Sequence, residues 1–330
     1  TTRGLLIFGI SITPLHPGAG RIPGIVDLPI QRDPLGYPLV FASGVKGALK
    51  SLCARRYCLN YLDDYGRIKC SKLMEKCSET EQSADVDNCL LCCCLFGPEP
   101  GEADVGSGIL SILDFFMFAI PAPSASHGYV YVTSPYVLSR THGVLEALQT
   151  LGVNKAQDLK EFVLELGKKA TASKIVSPTL SGLVDIGLTS LKVEARQLTS
   201  IDKVKQVFSK LGPIAQTALE KLVIVPDDIA PTIIERSLIR VTRTRLHISK
   251  KVVQTGALWT EEYIPVGTIF IGGISAIGRK NIYCDKIKIE IDQAIEKFKE
   301  QVLSESNGIA YMIVGGKETI GRGLVKLVLF

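Results

Sequence analysis

The chain opens on an almost unbroken apolar run. Residues 3–13, RGLLIFGISIT, read as a buried strand, mostly apolar and partly β-branched. Residues 36–42 look extended. In residues 44–60, GVKGALKSLCARRYCLN, Val45, Leu49, Leu52 and Cys53 share one helical face, Lys46, Lys50 and Arg56 lie largely off it, and Ser43 is the expected N-cap. Residues 61–108 are polar, turn-rich and cysteine-bearing, which predicts an insertion rather than core. GILSILDFFMFAIP returns to strand character, residues 127–139 alternate as a strand, and THGVLEALQTLG and NKAQDLKEFVLELGKKA have helical spacing.

Residues 173–198, SKIVSPTLSGLVDIGLTSLKVEARQL, are apolar and β-prone, punctuated by Pro178 and Gly182; a projecting hairpin is expected there. Helices are predicted at 200–211 and 213–223, followed by a strand, a Pro/Asp turn and a short helix in LVIVPDDIAPTIIERSL. The segment IRVTRTRLHIS sets Arg240, Thr242 and Thr244 on one face and Val241, Arg243 and Arg245 on the other. GALWTEEYIPVGTIFIGGI reads as loop then strand, DKIKIEIDQAIEKFKEQVL includes an amphipathic helix, and the tail is strand, glycine-rich loop, strand. Strands and helices mix without strict alternation. This predicts an α+β class, an antiparallel sheet backed by helices, as one elaborated domain over 1–330.

Composition narrows the class. Hydrophobic residues make up 46% and charged residues 22%, enough for a packed core and unlike a disordered chain. The formal charge of +5 permits an anionic partner without requiring one. The apolar stretch at the start is short and ends in Pro and Gly, so a buried strand suits it better than a signal, and no run reaches the ~18 apolar residues of a membrane span. A soluble, cytoplasmic protein with no membrane partner is expected. Of nine cysteines, Cys70, Cys77, Cys89, Cys92, Cys93 and Cys94 cluster, while Cys53, Cys58 and Cys284 lie apart. CLLCCC contains Cys-x-x-Cys spacing, and Cys70, Cys77, Cys89 and Cys92 form a candidate zinc or disulfide set. Its spacing matches no standard zinc ribbon, so structural zinc, disulfides (as in hyperthermophiles) and plain burial all stay open.

Candidate chemistry sits in four other stretches. The tail loop GGKETIGRGLVK, with Gly315, Gly316, Gly321 and Gly323, allows close approach to a ligand and offers N–H groups to an anion, with Lys317 and Arg322 adding charge; a tight hairpin explains it equally well. Ser43-Gly44 followed by Lys46 and Lys50 suits a phosphate at a helix start, or an ordinary solvated face. Asp27 and His16, in loops, have no role assignable by pattern. In LWTEEYIP, the sole tryptophan, Trp259, precedes two glutamates and Tyr263, an acid–phenol arrangement able to move a proton or simply to anchor a loop.

Taken together, SITPLHPGAG…GIVDLPIQRDPLGYPLVFASGVKGALK resembles the opening of RAMP-superfamily proteins of CRISPR systems, and GGKETIGRGLVK is similar to that family's C-terminal glycine-rich loop. SLIRVTRTRLHISKKVVQTGALWTEEYIP resembles a segment of the repeated backbone subunit of type III-B (Cmr) effectors. The likeness runs from Leu5 to Phe330 and is weakest in the cysteine-rich insertion; Ala42-Ser43-Gly44 departs from the family's Gly-Ser-Ser turn. It implies an RRM-like (ferredoxin-like) sheet, a thumb hairpin placed at 173–198, and copies of the chain stacked in a helical filament with other subunits of the complex. The implied partners are guide CRISPR RNA, held by phosphate contacts from Arg21, Ser43, Lys46, Lys50, Arg240, Gly315, Gly316, Lys317 and Arg322, and a complementary target RNA. Target cleavage by 2′-OH attack is implied at Asp27, holding a divalent ion (Mg or Mn), with His16, Glu261 and Tyr263 as auxiliary catalytic groups; Glu261 and Glu262 are not distinguished. A non-catalytic guide-binding subunit and a free-standing guide-processing endoribonuclease are the alternatives.

Overall fold

The computed structural model describes residues 3–21, 26–79, 84–99, 102, 106–169, 175–187, 189–196, 198–278 and 281–330. Strand β1 (Gly4–Ser11) leads through a long loop to β2 (Leu39–Val40) and helix α1 (Ala42–Tyr57). Helices α2 (Cys70–Glu79) and α3 (Ala84–Phe96) come next, then β3 (Leu110–Ile112), β4 (Phe115–Ser124) and β5 (Gly128–Thr133). Helices α4 (Pro135–Thr150) and α5 (Ala156–Lys169) precede β6 (Ile175–Ser177), β7 (Gly182–Ile186) and β8 (Thr189–Ala195). There follow α6 (Ile201–Leu211), α7 (Pro213–Glu220), β9 (Leu222–Ile224), α8 (Ala230–Ser237), β10 (Ile239–Leu246), β11 (Val253–Tyr263) and β12 (Ile269–Ala276). The chain closes with α9 (Ile282–Lys286), α10 (Ala294–Lys297), β13 (Ile309–Ile313) and β14 (Leu324–Leu329).

Among the described residues twelve strands form one mostly antiparallel sheet, ordered β13-β14-β1-β12-β4-β5-β9-β6-β8-β7, with β2 added to β4 and β3 to β12. The class is α+β, as the mixed pattern predicts. Every residue of β1 is buried. Its two-residue period sends Leu5 and Ile7 into one core with Val45, Leu49 and Cys53 of α1, and Leu6, Phe8 and Ile10 into a second core with α4, α5 and α6. A strand covered on both faces needs no polar alternation, which is why the opening run is so uniformly apolar.

Local chemistry moves several boundaries. Helix α1 starts at Ala42, so Ser43 lies in its first turn, exposed, and is not the cap. The Asp114 carboxylate takes that role from a distance, accepting the Ala42 N–H at 2.7 Å. The strand predicted to reach residue 139 stops at Thr133, because Ser134 accepts from the Val137 N–H and Pro135 opens α4.

Three expectations are corrected more substantially. Residues 61–108 are not wholly outside the core: α3 is buried from Cys89 to Phe96 and packs against α1 and α9. Segment 173–198 does not project, since β6, β7 and β8 form one edge of the main sheet. The projecting element is the separate two-stranded sheet of β10 and β11, whose apolar end is bare, with Ile248 95% and Leu258 63% exposed. Residues of LWTEEYIP accordingly sit in strand β11 rather than in a loop.

The cysteines form disulfides: Cys53–Cys92, Cys58–Cys89, Cys70–Cys93 and Cys94–Cys284. Zinc needs free thiolates, so Cys70, Cys89 and Cys92 do not fit a zinc site in this pairing; the side chain of Cys77 lies outside the described residues. Three bridges tie α3 to α1 and its neighbours, and the fourth ties α3 to α9 across 190 residues of sequence. In the chain-entropy account the longest loop stabilises most. Replacing Cys94 and Cys284 together by alanine should cost about 5 kcal/mol of unfolding free energy, against about 3 kcal/mol for the Cys70/Cys93 pair. Denaturant melts of the two double variants check the order.

Candidate functional site

The site is built where three loops meet the base of the β10–β11 hairpin. Leu28 lies beside β11 in a parallel bridge to Glu261: its N–H donates to Thr260 O and its carbonyl accepts from the Glu262 N–H, both at 3.1 Å. Leu15 pairs with Ile264, the residue just past the end of β11. The loops around residues 13–18 and 26–32 are thereby fastened to β11. Within the hairpin Arg243 stands opposite Trp259.

Two consecutive glutamates organise this base, each 1% exposed. Because neighbours on a strand face opposite ways, they serve different partners. The Glu261 carboxylate accepts from Lys317 Nζ at 2.7 Å, from Trp259 Nε1 at 2.7 Å and from the Tyr263 hydroxyl. Burial pushes its pKa up, but the bonds from Lys317, Trp259 and Tyr263 outweigh that and hold it at about 2. Glu262 faces the other side, where it meets Arg32 at 2.9 Å, Arg240 at 3.3 Å and the Ile30 N–H at 3.3 Å.

Asp27 is half-buried at the mouth of the assembly. Its Oδ2 accepts the Thr260 N–H at 2.8 Å and the Thr260 hydroxyl at 3.0 Å. The Thr260 N–H, then its hydroxyl, with Arg21 adding its charge, hold the carboxyl below the usual carboxylate range against the opposing effect of burial. Both bonds fall on Oδ2, which leaves Oδ1 for a ligand. Asp27 lines a cleft of about 360 Å³ together with Arg21, Arg245, Trp259 and Lys317. Such a cleft can bind an anion and ionise or orient a group at the carboxylate.

The auxiliary groups expected from the sequence take other positions. His16 is buried, and its ring Nδ1 donates to Glu262 O at 2.7 Å, since a carbonyl can only accept. Tyr263 is buried, and burial followed by the Glu261 charge raises its pKa, so it stays a phenol. His16, Glu261 and Tyr263 are brought together under the cleft rather than into it. Thr260 was missed from the sequence, where a threonine in a strand carries no signal of its contact with a residue 233 positions away.

The glycine loop has a structural reason for its glycines. A Cβ on Gly315 would stand 2.5 Å from His16 O, and Gly315 has φ +86°. The Gly316 N–H donates to His16 O at 2.9 Å and the Gly323 N–H to Pro14 O at 3.1 Å, so these amides grip the neighbouring loop and are not free for an anion. Arg322 lies over the Tyr263 ring, 5.2 Å from its centroid. Lys50 is also spoken for, bonding Gly97 O at 3.0 Å and Glu99 at 2.7 Å, and Arg240 is paired with Glu235 and Glu262. Lys46 is half-buried; burial and the charge of Lys50 lower its pKa. Beside α1 runs a groove of about 580 Å³ whose walls include Gly44, Gly47, Ser51, Arg55, Gly315 and Glu318. Among the described residues no helix is long and apolar enough to cross a membrane.

A mostly antiparallel sheet with an outstanding hairpin, and a carboxylate at that hairpin's base, is an architecture with known relatives. The model of the RAMP superfamily matches residues 11–326, and the chain belongs to that superfamily. It is 31% identical over 330 residues to the CRISPR system Cmr endoribonuclease Cmr4 of Pyrococcus furiosus, covering 99% of this chain and 96% of that protein. It is 29% identical over 333 residues to the CRISPR system CMR subunit Cmr4 of Saccharolobus solfataricus, covering 96% of this chain and 93% of that protein. Among solved structures it is similar to a chain of the type III-B Cmr-beta assembly bound to cognate target RNA, with a TM-score of 0.70 and 27% identity over 99% of this chain and 96% of that one. The crystal structure of oligomeric Cmr4 from Pyrococcus furiosus shares the fold, with a TM-score of 0.59 and 22% identity over 100% and 98% of the two chains.

Because the Glu261 pKa is depressed in the folded state, its stabilisation is present above the ordinary value of 4.5 and is lost as pH falls towards about 2. Glu261→Gln should therefore lower stability at pH 7 by about 3 kcal/mol, the scale for breaking a buried pair, with the gap to wild type closing below pH 4. Thermal melts across that pH range check the trend.

Proposed function

We propose that the chain is a repeated backbone subunit of a type III-B Cmr ribonucleoprotein, and that within the assembly it acts as an endoribonuclease on target RNA paired to the guide. The observation that carries this reading is Asp27: an ionised carboxylate with one oxygen to spare, in a cationic cleft at the foot of a hairpin with a bare apolar end. The names of the relatives support the class of activity, and the oligomeric and RNA-bound states of the similar structures support self-stacking, partner subunits and an RNA partner.

The guide lies, in this reading, along the groove beside α1. Gly44, Gly47 and Gly315 let an RNA backbone approach closely, and Arg55 on the same wall supplies charge; Lys46 lies on another face of α1. We read the sheet around β1, β4, β12 and β14 as the RRM-like core, and assign the thumb to the β10–β11 hairpin in place of 173–198. Leu246, Ile248, Val252, Val253 and Leu258 are exposed on it. Inserted between base pairs, they bury apolar surface that offsets the few kcal/mol needed to unstack a base.

A helical RNA keeps each 2′-OH out of line with the 5′-oxygen it must displace. A splayed nucleotide escapes that constraint, and alignment alone supplies a large part of the rate. The 2′-oxygen attacks the adjacent phosphorus while a proton acceptor takes its hydrogen; the bond to the 5′-oxygen breaks, that oxygen takes a proton from water, and a 2′,3′-cyclic phosphate remains. Thr260 keeps the Asp27 carboxylate ionised and oriented beside the linkage. Glu261 and His16 act at a distance: Glu261 sets Lys317 and Trp259 in place, and His16 fixes the strand through Glu262 and the glycine loop through its own carbonyl.

Asp27 Oδ1 fits a divalent ion (Mg or Mn) as a single ligand, the remaining ligands coming from RNA and water, because the cleft's other charged groups are cations. When bound, such an ion would neutralise charge on the phosphorane.

In the reconstituted complex Asp27→Ala should leave assembly and target binding intact and lower the cutting rate at least a hundredfold. Full-rate cutting by that variant would remove the assignment and favour a purely structural subunit; cutting of repeat RNA by the isolated chain would favour a guide-processing enzyme. Guide binding should weaken with salt, and Arg55→Ala should weaken all guide sequences alike, by a few-fold, as a lost phosphate contact does. Filter binding at two salt concentrations with unrelated guides measures both.

A further inference from the structure

The cleft beside Asp27 has more in it than cleavage requires. We infer that it is a subsite for one displaced nucleotide of the target, its base stacked on Trp259 and its phosphate met by Arg21, Arg245 and Lys317; this rests on the reading above. The volume, about 360 Å³, is at the lower end of small-ligand sites and suits one nucleotide rather than a duplex.

Trp259 is the only tryptophan of the chain and lines this cleft. Its Nε1–H is held by Glu261 at 2.7 Å, which fixes the ring as a platform. The same carboxylate anchors Lys317 at 2.7 Å, and the ammonium keeps two further protons for a phosphate. One acid thus positions the stacking surface and the cation together. The rest of the wall is Leu28, Gly256, Ala257 and Leu258. None of these side chains can read a base edge, whereas an indole stacks on any base. A subunit that meets whatever sequence the guide dictates needs that indifference. Gly256, with φ +74°, adds no side chain to the cleft wall, and a Cβ there would meet only open space.

The test uses the assembled complex and a target RNA carrying an abasic residue at the displaced position. With wild-type protein the abasic target should be cut about tenfold more slowly at subsaturating concentration, the scale of one base–aromatic stack. Trp259→Ala should cut the ordinary target about tenfold more slowly and show no further loss with the abasic one, whereas Trp259→Phe should retain most of the discrimination. If Trp259→Ala still distinguishes the two targets as wild type does, the subsite is wrong. That failure is separable from failure of the cleavage assignment, which is read from Asp27→Ala in the same assay. If Trp259→Ala does not assemble, the indole of the full wild-type chain serves instead: single-stranded oligoadenylate should quench its fluorescence, and unchanged emission overturns the proposal.

Discussion

Everything at the candidate site depends on two adjacent carboxylates buried at the foot of one hairpin. A charge removed from water is costly unless it is paired and fully hydrogen-bonded. Glu261 and Glu262 meet that requirement by drawing in partners from remote parts of the chain. Lys317 comes from the glycine loop and Arg32 from the loop after Asp27, while Arg240 and Arg243 come from the opposing strand. Satisfying the two acids therefore fixes where two of the three loops sit, and bonds from Leu15 and His16 to the backbone of Ile264 and Glu262 hold the third. Asp27 inherits its position from that arrangement through Thr260, the residue before Glu261.

This arrangement separates support from chemistry. The groups that hold the site, His16, Glu261, Glu262 and Tyr263, are buried and occupied. Those that face solvent, Arg21, Asp27 and Arg245, carry the charge an RNA phosphate would meet. The apolar end of the hairpin is exposed where an isolated protein would gain nothing from exposing it, which is how a surface reserved for a partner looks. In the proposed assembly, a hairpin and a carboxylate loop bonded to it through Thr260 would give each copy the same relation between a displaced nucleotide and the group that acts on it.

Much of the frame was legible in the sequence. The uniform apolarity of β1 announces a buried strand, and Val45, Leu49 and Cys53 announce the buried face of α1. What misled was burial of the wrong kind of residue. Trp259, Glu261 and Tyr263 alternate correctly for a strand, but two consecutive glutamates look like a solvated loop until their partners are known. The β6–β8 segment is apolar because Val176, Val184, Ile186 and Val193 pack into the core while its other face stays open, with Leu183 72% exposed, whereas the hairpin that does project is masked by the arginines and lysines flanking its apolar end. The cysteine run looked like an insertion because its pairing with Cys53, Cys58 and Cys284 is long-range and leaves no local pattern. The Asp27–Thr260 contact is invisible for the same reason, and only the family resemblance singled Asp27 out.

The central claim is geometric, and one measurement reaches it most directly. It is a cryo-electron microscopy structure of the assembled complex with guide and a target made uncleavable by 2′-deoxy substitution at the displaced positions. The account predicts the β10–β11 hairpin inserted into the duplex and Asp27 Oδ1 within a hydrogen bond, or one ion's or water's reach, of the phosphate beside the displaced nucleotide. A duplex left stacked past the hairpin, or an Asp27 carboxylate remote from every displaced linkage with nothing bridging the gap, would contradict it.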